Sequence, residues 1–187
     1  MQQCQDIAFN AQTNDVSILS DWDQRTRVGT KHNGVMIDVI GTDAGAPGSL
    51  PPGAQLLVEQ AHLLAAPKRL LPALQQWSAC PVALRCISSD HPIALSEELL
   101  ALGSDQRVVV LASGDPLWFG IGRILIERLG PERLRFHPSP SSLQLAFARL
   151  GRPWQDAQWL SLHGRDPAPL AQRLQQRPSA LAVLTDP

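Results

Sequence analysis

Short apolar runs alternate with longer segments of helical spacing from Val35 to the end of the chain. The run "VMIDVIG" predicts a strand that ends in the Gly/Pro-rich loop "GTDAGAPGSLPPG". "AQLLVEQA" carries apolar residues at helical spacing, and "HLLAAP" reads as a short apolar strand. "KRLLPALQQW" is helical in pattern with Pro72 in the first turn, where a missing N–H is tolerated. "PVALRCIS" predicts another strand, and "HPIALSEELLALG" a helix with Gly103 just beyond its end. "RVVVLASG" is short, β-branched and bounded by polar residues, hence a buried strand. "PLWFGIGRILIERLG" predicts a helix that starts at Pro116.

The plan of strand, turn and helix repeats in "RLRFHPSPSS" and "LQLAFARLG". "AQWLSLHGR", "DPAPLAQRLQQ" and "ALAVLTDP" then add a strand, a helix and a strand. Such alternation predicts an α/β protein with mostly parallel sheets. Residues 1–34 show neither period and are read as a poorly ordered extension. Residues 35–153 form an expected N-terminal α/β domain, and residues 154–187 the start of a second one. That second domain is expected to be incomplete, because two strands and one helix cannot cover their own apolar edges.

With 187 residues, 44% of them hydrophobic and 18% charged, the chain holds enough apolar side chain for a sizeable core. A formal charge of -1 and a pI near 6.5 offer no basic excess for nucleic acid or an anionic membrane. Cys4, Cys80 and Cys86 are odd in number and lack CxxC spacing, so neither a disulfide framework nor a metal site is indicated. Apolar runs fall short of the ~20 residues of a membrane span, and no basic segment followed by an apolar stretch marks a leader. A cytoplasmic protein with reduced thiols is expected.

In open α/β sheets, ligands sit beyond the carboxyl ends of the strands, near helix N-termini. Three turns offer suitable residues there: "GTDAGAPG", "SGDP" and "PSPSS". In Ser113-Gly114-Asp115-Pro116, glycine permits close backbone approach, and Asp115 either caps the next helix or accepts bonds from a ligand amine. The same residues also serve a turn with no ligand. No GxxxxGK[ST] is present, and Gly41 and Gly45 do not form GxGxxG, which disfavours an ATPase or an ordinary dinucleotide enzyme. Trp118 and Phe119 open a helix whose apolar face must be buried, so their side chains are read as core. Trp154 and Trp159 carry no ligand signal.

The segments "LASGDPLWFGIGRIL", "PSPSSLQLAFARLG", "SLHGR" and "LTDP", in this order and spacing, resemble the tetrapyrrole (corrin/porphyrin) methylase family. The likeness is to its cobalamin-pathway branch of C5-methyltransferases acting on precorrin-6Y or cobalt-precorrin-7. "SLHGR" is the branch-specific part, and the match runs from about Val35 to Pro187. The resemblance implies a two-domain tetrapyrrole methylase fold with S-adenosylmethionine in the cleft between the domains. Ser113, Gly114 and Asp115 match the family loop that binds the methionine end of this cofactor, and Trp118 a position used through its backbone. Ser141 and Ser142 match a second cofactor loop, while His163 and Thr185 fall where relatives approach the adenosine.

A substrate rich in carboxylates calls for cations, and Lys68, Arg69 and Arg165 stand near strand carboxyl ends. Each reads more readily as a solvated surface charge, and His163 reads also as a structural residue at a strand end. Two loops depart from the family pattern: "GTDAGAPG" replaces a GxGxxG-like run, and "APKRLL" a Gly-Arg pattern. Both face the tetrapyrrole in relatives. The resemblance further implies a homodimer and a partner for C15 methylation and decarboxylation, and it leaves open whether the precorrin acceptor already holds cobalt. A non-catalytic fragment working through partner chains and a methylase with another acceptor are the competing readings.

Overall fold

Two short strands, β1 (Ile7–Asn10) and β2 (Asp15–Ile18), pair antiparallel within the leading segment, where the sequence shows no regular period. The computed structural model describes residues 7–10, 15–18, 35–43, 45–78, 80–81, 83–162 and 166–185. Internal contacts group the chain into two units, Met1–Asn33 and Gly34–Pro187.

In the larger unit the alternation is realised as β3 (Ile37–Thr42), α1 (Pro52–Glu59), β4 (Leu63–Ala66), α2 (Leu71–Gln76) and β5 (Arg85–Ser88). There follow α3 (Pro92–Leu100), β6 (Val108–Ser113), α4 (Gly122–Leu129), β7 (Leu134–His137) and α5 (Ser142–Leu150). The last elements are β8 (Gln158–Ser161), α6 (Ala168–Gln175) and β9 (Leu181–Leu184). Strands β3 to β7 form one sheet in the order β5-β4-β6-β3-β7, and every pairing in it is parallel. Strands β8 and β9 form a separate parallel pair. The expected α/β class with mostly parallel sheets is the one observed.

The reason lies in the strand residues. A strand turns successive side chains to opposite faces, and β6 is apolar at nearly every position. Val108 and Val110 pack with Leu95 and Leu99 of α3 and with Leu125 and Leu129 of α4. Val109 and Leu111 pack on the other face with Ala54 and Val58 of α1 and with Leu70 and Leu74 around α2. A strand buried on both faces reads as a continuous apolar run. Each fully buried Val or Leu contributes about 1.5–3 kcal/mol.

The strand order also fixes where a ligand can sit. The chain runs from β3 outward through β4 to the edge strand β5, with α1 and α2 on one face. It then returns to β6 and passes beyond β3 to β7, with α3 and α4 on the other face. Connections leaving β3 and β6, and β4 and β6, therefore diverge to opposite faces. A crevice opens at their carboxyl ends.

One element begins later than its pattern suggests. The helix expected from Pro116 starts at Gly122. Asp115 Oδ1 accepts from the Leu117 N–H at 2.8 Å, and the Gly122 N–H reaches back to the Pro116 carbonyl at 2.9 Å. Between them Phe119 has φ of 50°, a left-handed conformation that costs a non-glycine residue about 1 kcal/mol. The apolar spacing of "PLWFGIG" is continuous with that of the helix, which hides this coiled turn from periodicity. The turn also brings Phe119 out of the core: it is 44% exposed.

Leu111→Ala is expected to lower unfolding free energy by about 2–5 kcal/mol through the cavity it leaves. Leu100→Ala, at a half-exposed site on α3, should cost no more than about 0.5 kcal/mol. Urea denaturation of both variants checks the contrast.

Candidate functional site

Thr42 ends β3 beside Ser113 at the end of β6. The Gly114 N–H then donates to the Thr42 carbonyl at 2.7 Å, closing an isolated antiparallel bridge across the ends of the two parallel strands. The Thr42 hydroxyl donates to the Ala112 carbonyl at 2.9 Å and anchors the same junction. Two glycines make this approach possible. A Cβ on Gly41 would stand 2.5 Å from the Gly114 carbonyl oxygen and 2.7 Å from Ser139 Cβ. Gly114 has φ of +66°, and a Cβ there would touch Ser141 Cα at 3.8 Å. The turn after β6, the end of β3 and the start of α5 are thereby packed into one edge.

Helix α5 is set by its cap. Ser141 Oγ accepts from the Gln144 N–H at 3.2 Å, and Gln144 Oε1 accepts from the Ser141 N–H at 2.7 Å, a reciprocal capping box. Amides of a first helical turn have no intrahelical acceptor. This turn faces Gly114, so it adds donors and the positive end of a helix dipole to the site. The strand leading into it is held by Asp38 of β3, whose Oδ1 lies 2.7 Å from His137 Nε2 and 3.3 Å from Arg135 Nε. Asp43, just past β3, accepts from the Gly45 N–H at 2.9 Å and from the Ser49 hydroxyl. The Ser49 bond first, and then the Gly45 bond, hold the Asp43 carboxyl below the ordinary carboxylate range.

Three cavities share this edge. One of about 260 Å³ is lined by Ser113, Gly114, Asp115, Trp118, Ser141 and Ser142, with Ser161, Leu184 and Thr185 at the ends of β8 and β9. A second, of about 620 Å³, lies at the ends of β4, β5 and β6 with Lys68, Arg69, Ser89, Asp90 and Ser113 in its wall. The third, of about 190 Å³, is aromatic and apolar, with Trp118, Phe147, Trp154 and Trp159 among its walls. Trp118 stands edge-on to both Phe119 and Trp159, with ring centroids 5.1 and 5.0 Å apart. Its indole Nε1 is buried with no hydrogen-bond partner among the described residues. Such a donor costs about 1–3 kcal/mol until an acceptor reaches it.

Every cofactor candidate named from the sequence lines the 260 Å³ cavity except His163, which lies outside the described residues. Lys68 and Arg69 meet at the 620 Å³ cavity; Arg165 lies outside the described residues. Asp115 does not cap a helix; it closes the turn onto Leu117. The sequence reading missed Gly41, whose position at the end of a strand is the usual mark of close backbone approach. It also missed Trp154 and Trp159, because aromatic residues in separate segments carry no signal until the fold joins them. Cys80 and Cys86 are free thiols, and burial first, then the neighbouring Cys80, pushes the Cys86 thiol up, in keeping with inert cysteines. No metal-binding cluster occurs among the described residues, and none of their helices is long and apolar enough to cross a membrane.

Residues 36–187 match the family model "Tetrapyrrole (Corrin/Porphyrin) Methylases". Over 130 residues the chain is 34% identical to a cobalt-precorrin-7 C(5)-methyltransferase of Salmonella typhimurium, covering 70% of this chain and 62% of that protein. Over 58 residues it is 53% identical to a precorrin-6Y C(5,15)-methyltransferase [decarboxylating] of a Sinorhizobium species, covering 31% of this chain and 14% of the relative. The chain thus spans less than two thirds of the length of either relative. In fold it is similar to a cobalamin-biosynthesis precorrin-6Y methylase of Archaeoglobus fulgidus, with a TM-score of 0.54 and 24% identity over 68% of this chain and 64% of that one.

Gly41→Ala is expected to push the Gly114 turn off β3, costing about 1–3 kcal/mol as overpacking does. The Gly114 amide should then lose protection from hydrogen exchange. The Asp43 bonds act with acid in a fixed direction. Because folding lowers that pKa, their stabilisation is present above the ordinary value of about 3.9 and is lost as pH falls through the lowered one. Hydrogen exchange at the Gly45 amide should rise across that acid window in the native chain and show no such step in Asp43→Asn.

Proposed function

The chain belongs to the tetrapyrrole (corrin/porphyrin) methylases, and on that footing we propose that it is an S-adenosylmethionine-dependent C-methyltransferase acting at C5 of a precorrin or cobalt-precorrin in cobalamin biosynthesis. The observation that carries this reading is the convergence of Ser113, Gly114, Asp115, Ser141, Ser142 and Thr185, distant in sequence, on one cavity. The names of the Salmonella and Sinorhizobium relatives support the acceptor and the carbon.

The residues present fit such a cofactor on two observations. The Trp118 Nε1–H is a buried donor with no acceptor among the described residues. Gly114, in the wall of the cavity, offers it backbone rather than side chain. In this reading Ser113, Gly114 and Asp115 hold the methionine end, Ser141 and Ser142 the ribose side with the dipole of α5, and Thr185 the adenosine. S-Adenosylmethionine, when bound, supplies a methyl group on a positively charged sulfur.

The acceptor ring of a precorrin is an electron-rich, enamine-like carbon nucleophile, so the chain need supply no acid–base pair to activate it. Its residues contribute alignment, worth several kcal/mol in comparable reactions, and exclusion of water by the aromatic walls of Trp118 and Trp159. Lys68 and Arg69 provide positive charge for the peripheral carboxylates. Neither has a carboxylate within salt-bridge distance among the described residues. Homodimerisation belongs to the same reading. So does a separate C15-methylating, decarboxylating partner, since the Sinorhizobium relative is named for two positions and aligns with this chain over only 14% of its length.

Calorimetric titration with S-adenosylhomocysteine tests the cofactor assignment. Saturable micromolar binding is expected, weakened at least about tenfold in Asp115→Ala, which loses the bond that closes the turn. Mass spectrometry of a precorrin-6Y or cobalt-precorrin-7 acceptor incubated with S-adenosylmethionine should show the gain of one methyl group at C5. A folded chain that binds no S-adenosylhomocysteine overturns the assignment.

A further inference from the structure

We propose that Arg69 is a positioning residue that couples the two cavities: an anion held by its guanidinium in the larger cavity tightens ligand binding in the smaller one through Ser113. The coupling rests on the methyltransferase reading above and goes beyond it by assigning communication between the two sides of the site.

Arg69 lies on the 3-10 turn Lys68–Leu70 that follows β4. Its Nη2 donates to Ser113 Oγ at 2.7 Å, across 44 positions of sequence. Ser113, Phe119 and Gly120 line both cavities, and of the three Ser113 alone carries a polar side chain. The hydroxyl is therefore the polar side-chain group through which the two spaces meet.

Charge and valence give the bond a direction. A guanidinium carries five N–H donors in a fixed fork. One is used on Ser113, and no carboxylate neutralises the group among the described residues. The nearby Asp90 instead accepts the Lys68 backbone N–H at 3.3 Å. Arg69 thus keeps an open edge for a carboxylate in the larger cavity. Ser113 Oγ, accepting from Arg69, keeps its own proton to donate towards an acceptor in the smaller cavity. Successive hydrogen bonds in such a chain polarise one another. A carboxylate that immobilises the long Arg69 side chain also immobilises the Ser113 rotamer, so the second ligand meets a hydroxyl already ordered.

Linkage makes the effect reciprocal: whatever factor the anion adds to the affinity of the cofactor-side ligand, that ligand adds to the anion. The class of ligand on the Arg69 side is a polycarboxylate. On the Ser113 side it is one that presents a hydrogen-bond acceptor.

The test is calorimetry of the full chain with S-adenosylhomocysteine, alone and in saturating uroporphyrin, a macrocycle rimmed with carboxylates. Affinity for S-adenosylhomocysteine should rise about fivefold or more when uroporphyrin is bound, within the usual range of such couplings. Uroporphyrin affinity should rise by the same factor in the reverse experiment. Ser113→Ala should still bind uroporphyrin while losing the enhancement. Arg69→Ala should lose it too, and Arg69→Lys, which keeps a charged donor, should restore part of it. The double variant should behave as either single one, which a merely structural role for Arg69 would not produce. Unchanged or weakened S-adenosylhomocysteine affinity in bound uroporphyrin overturns the coupling, as does an enhancement that survives both alanine variants. Absence of uroporphyrin binding overturns it at the Arg69 side alone. Absence of S-adenosylhomocysteine binding removes the methyltransferase reading and the coupling with it.

Discussion

Where β3 and β6 end, the Gly114 N–H donates to the Thr42 carbonyl, and a Cβ on Gly41 would fall 2.5 Å from the Gly114 oxygen. The position of every other group at this edge follows from that approach. It turns Ser113 and Asp115 outward together, lays Gly114 against the first turn of α5, and leaves room beside the strand ends for the two larger cavities. The strand order supplies the crevice; the glycine contact decides its shape. A side chain at Gly41 would push the Gly114 carbonyl and Ser139 away from the end of β3, and one at Gly114 would be strained by its positive φ.

The architecture was largely legible in the residues. Strands such as Val108–Ser113 are buried on both faces and apolar up to their last residue, while α3 and α4 present leucines at helical spacing, so the two periods separated cleanly. The start of α4 was not legible. Apolar residues in "PLWFGIG" satisfy a helical period, yet the Asp115 bond to Leu117 and the positive φ of Phe119 wind that stretch into a turn. A local polar bond overrode a pattern that records only burial. Nor did residues 1–34 show the period of the strand pair Ile7–Asn10 and Asp15–Ile18, each strand being only 4 residues long.

At the candidate site, the turns after β6 and β7 were singled out by their resemblance to the family's loops, because glycine, aspartate and serine there serve a turn with no ligand equally well. Their convergence with Thr185 and the approach of Arg69 to Ser113 could not be read in advance, since both depend on how separate strands are ordered in space. The same holds for the tryptophans. Trp118 and Trp159 meet at 5.0 Å only because the coiled turn before α4 carries one of them to β8. The distribution of groups across the edge is also a product of the fold: cations with no carboxylate in salt-bridge range among the described residues on the β4 side, hydroxyls and helix amides on the β7 side.

The placement of β3 has a consequence for the order in which the protein can assemble. This strand leaves the ribosome before the other strands of its sheet, yet its neighbours are β6 and β7, and Thr42 and Asp38 await partners 70 and 99 positions further on. Strands β4 and β5, by contrast, adjoin each other in both sequence and sheet. A local βαβ unit can therefore form early, while the apolar β3 stays unpaired on both edges until Val108–Ser113 has been made. Closing loops of that length before any contact rewards them slows folding. During the interval the nascent chain exposes a bare Ile/Val strand, the kind of segment that recruits the wrong partner. The contact between Gly114 and Thr42 that shapes this edge can therefore form only once that interval is over.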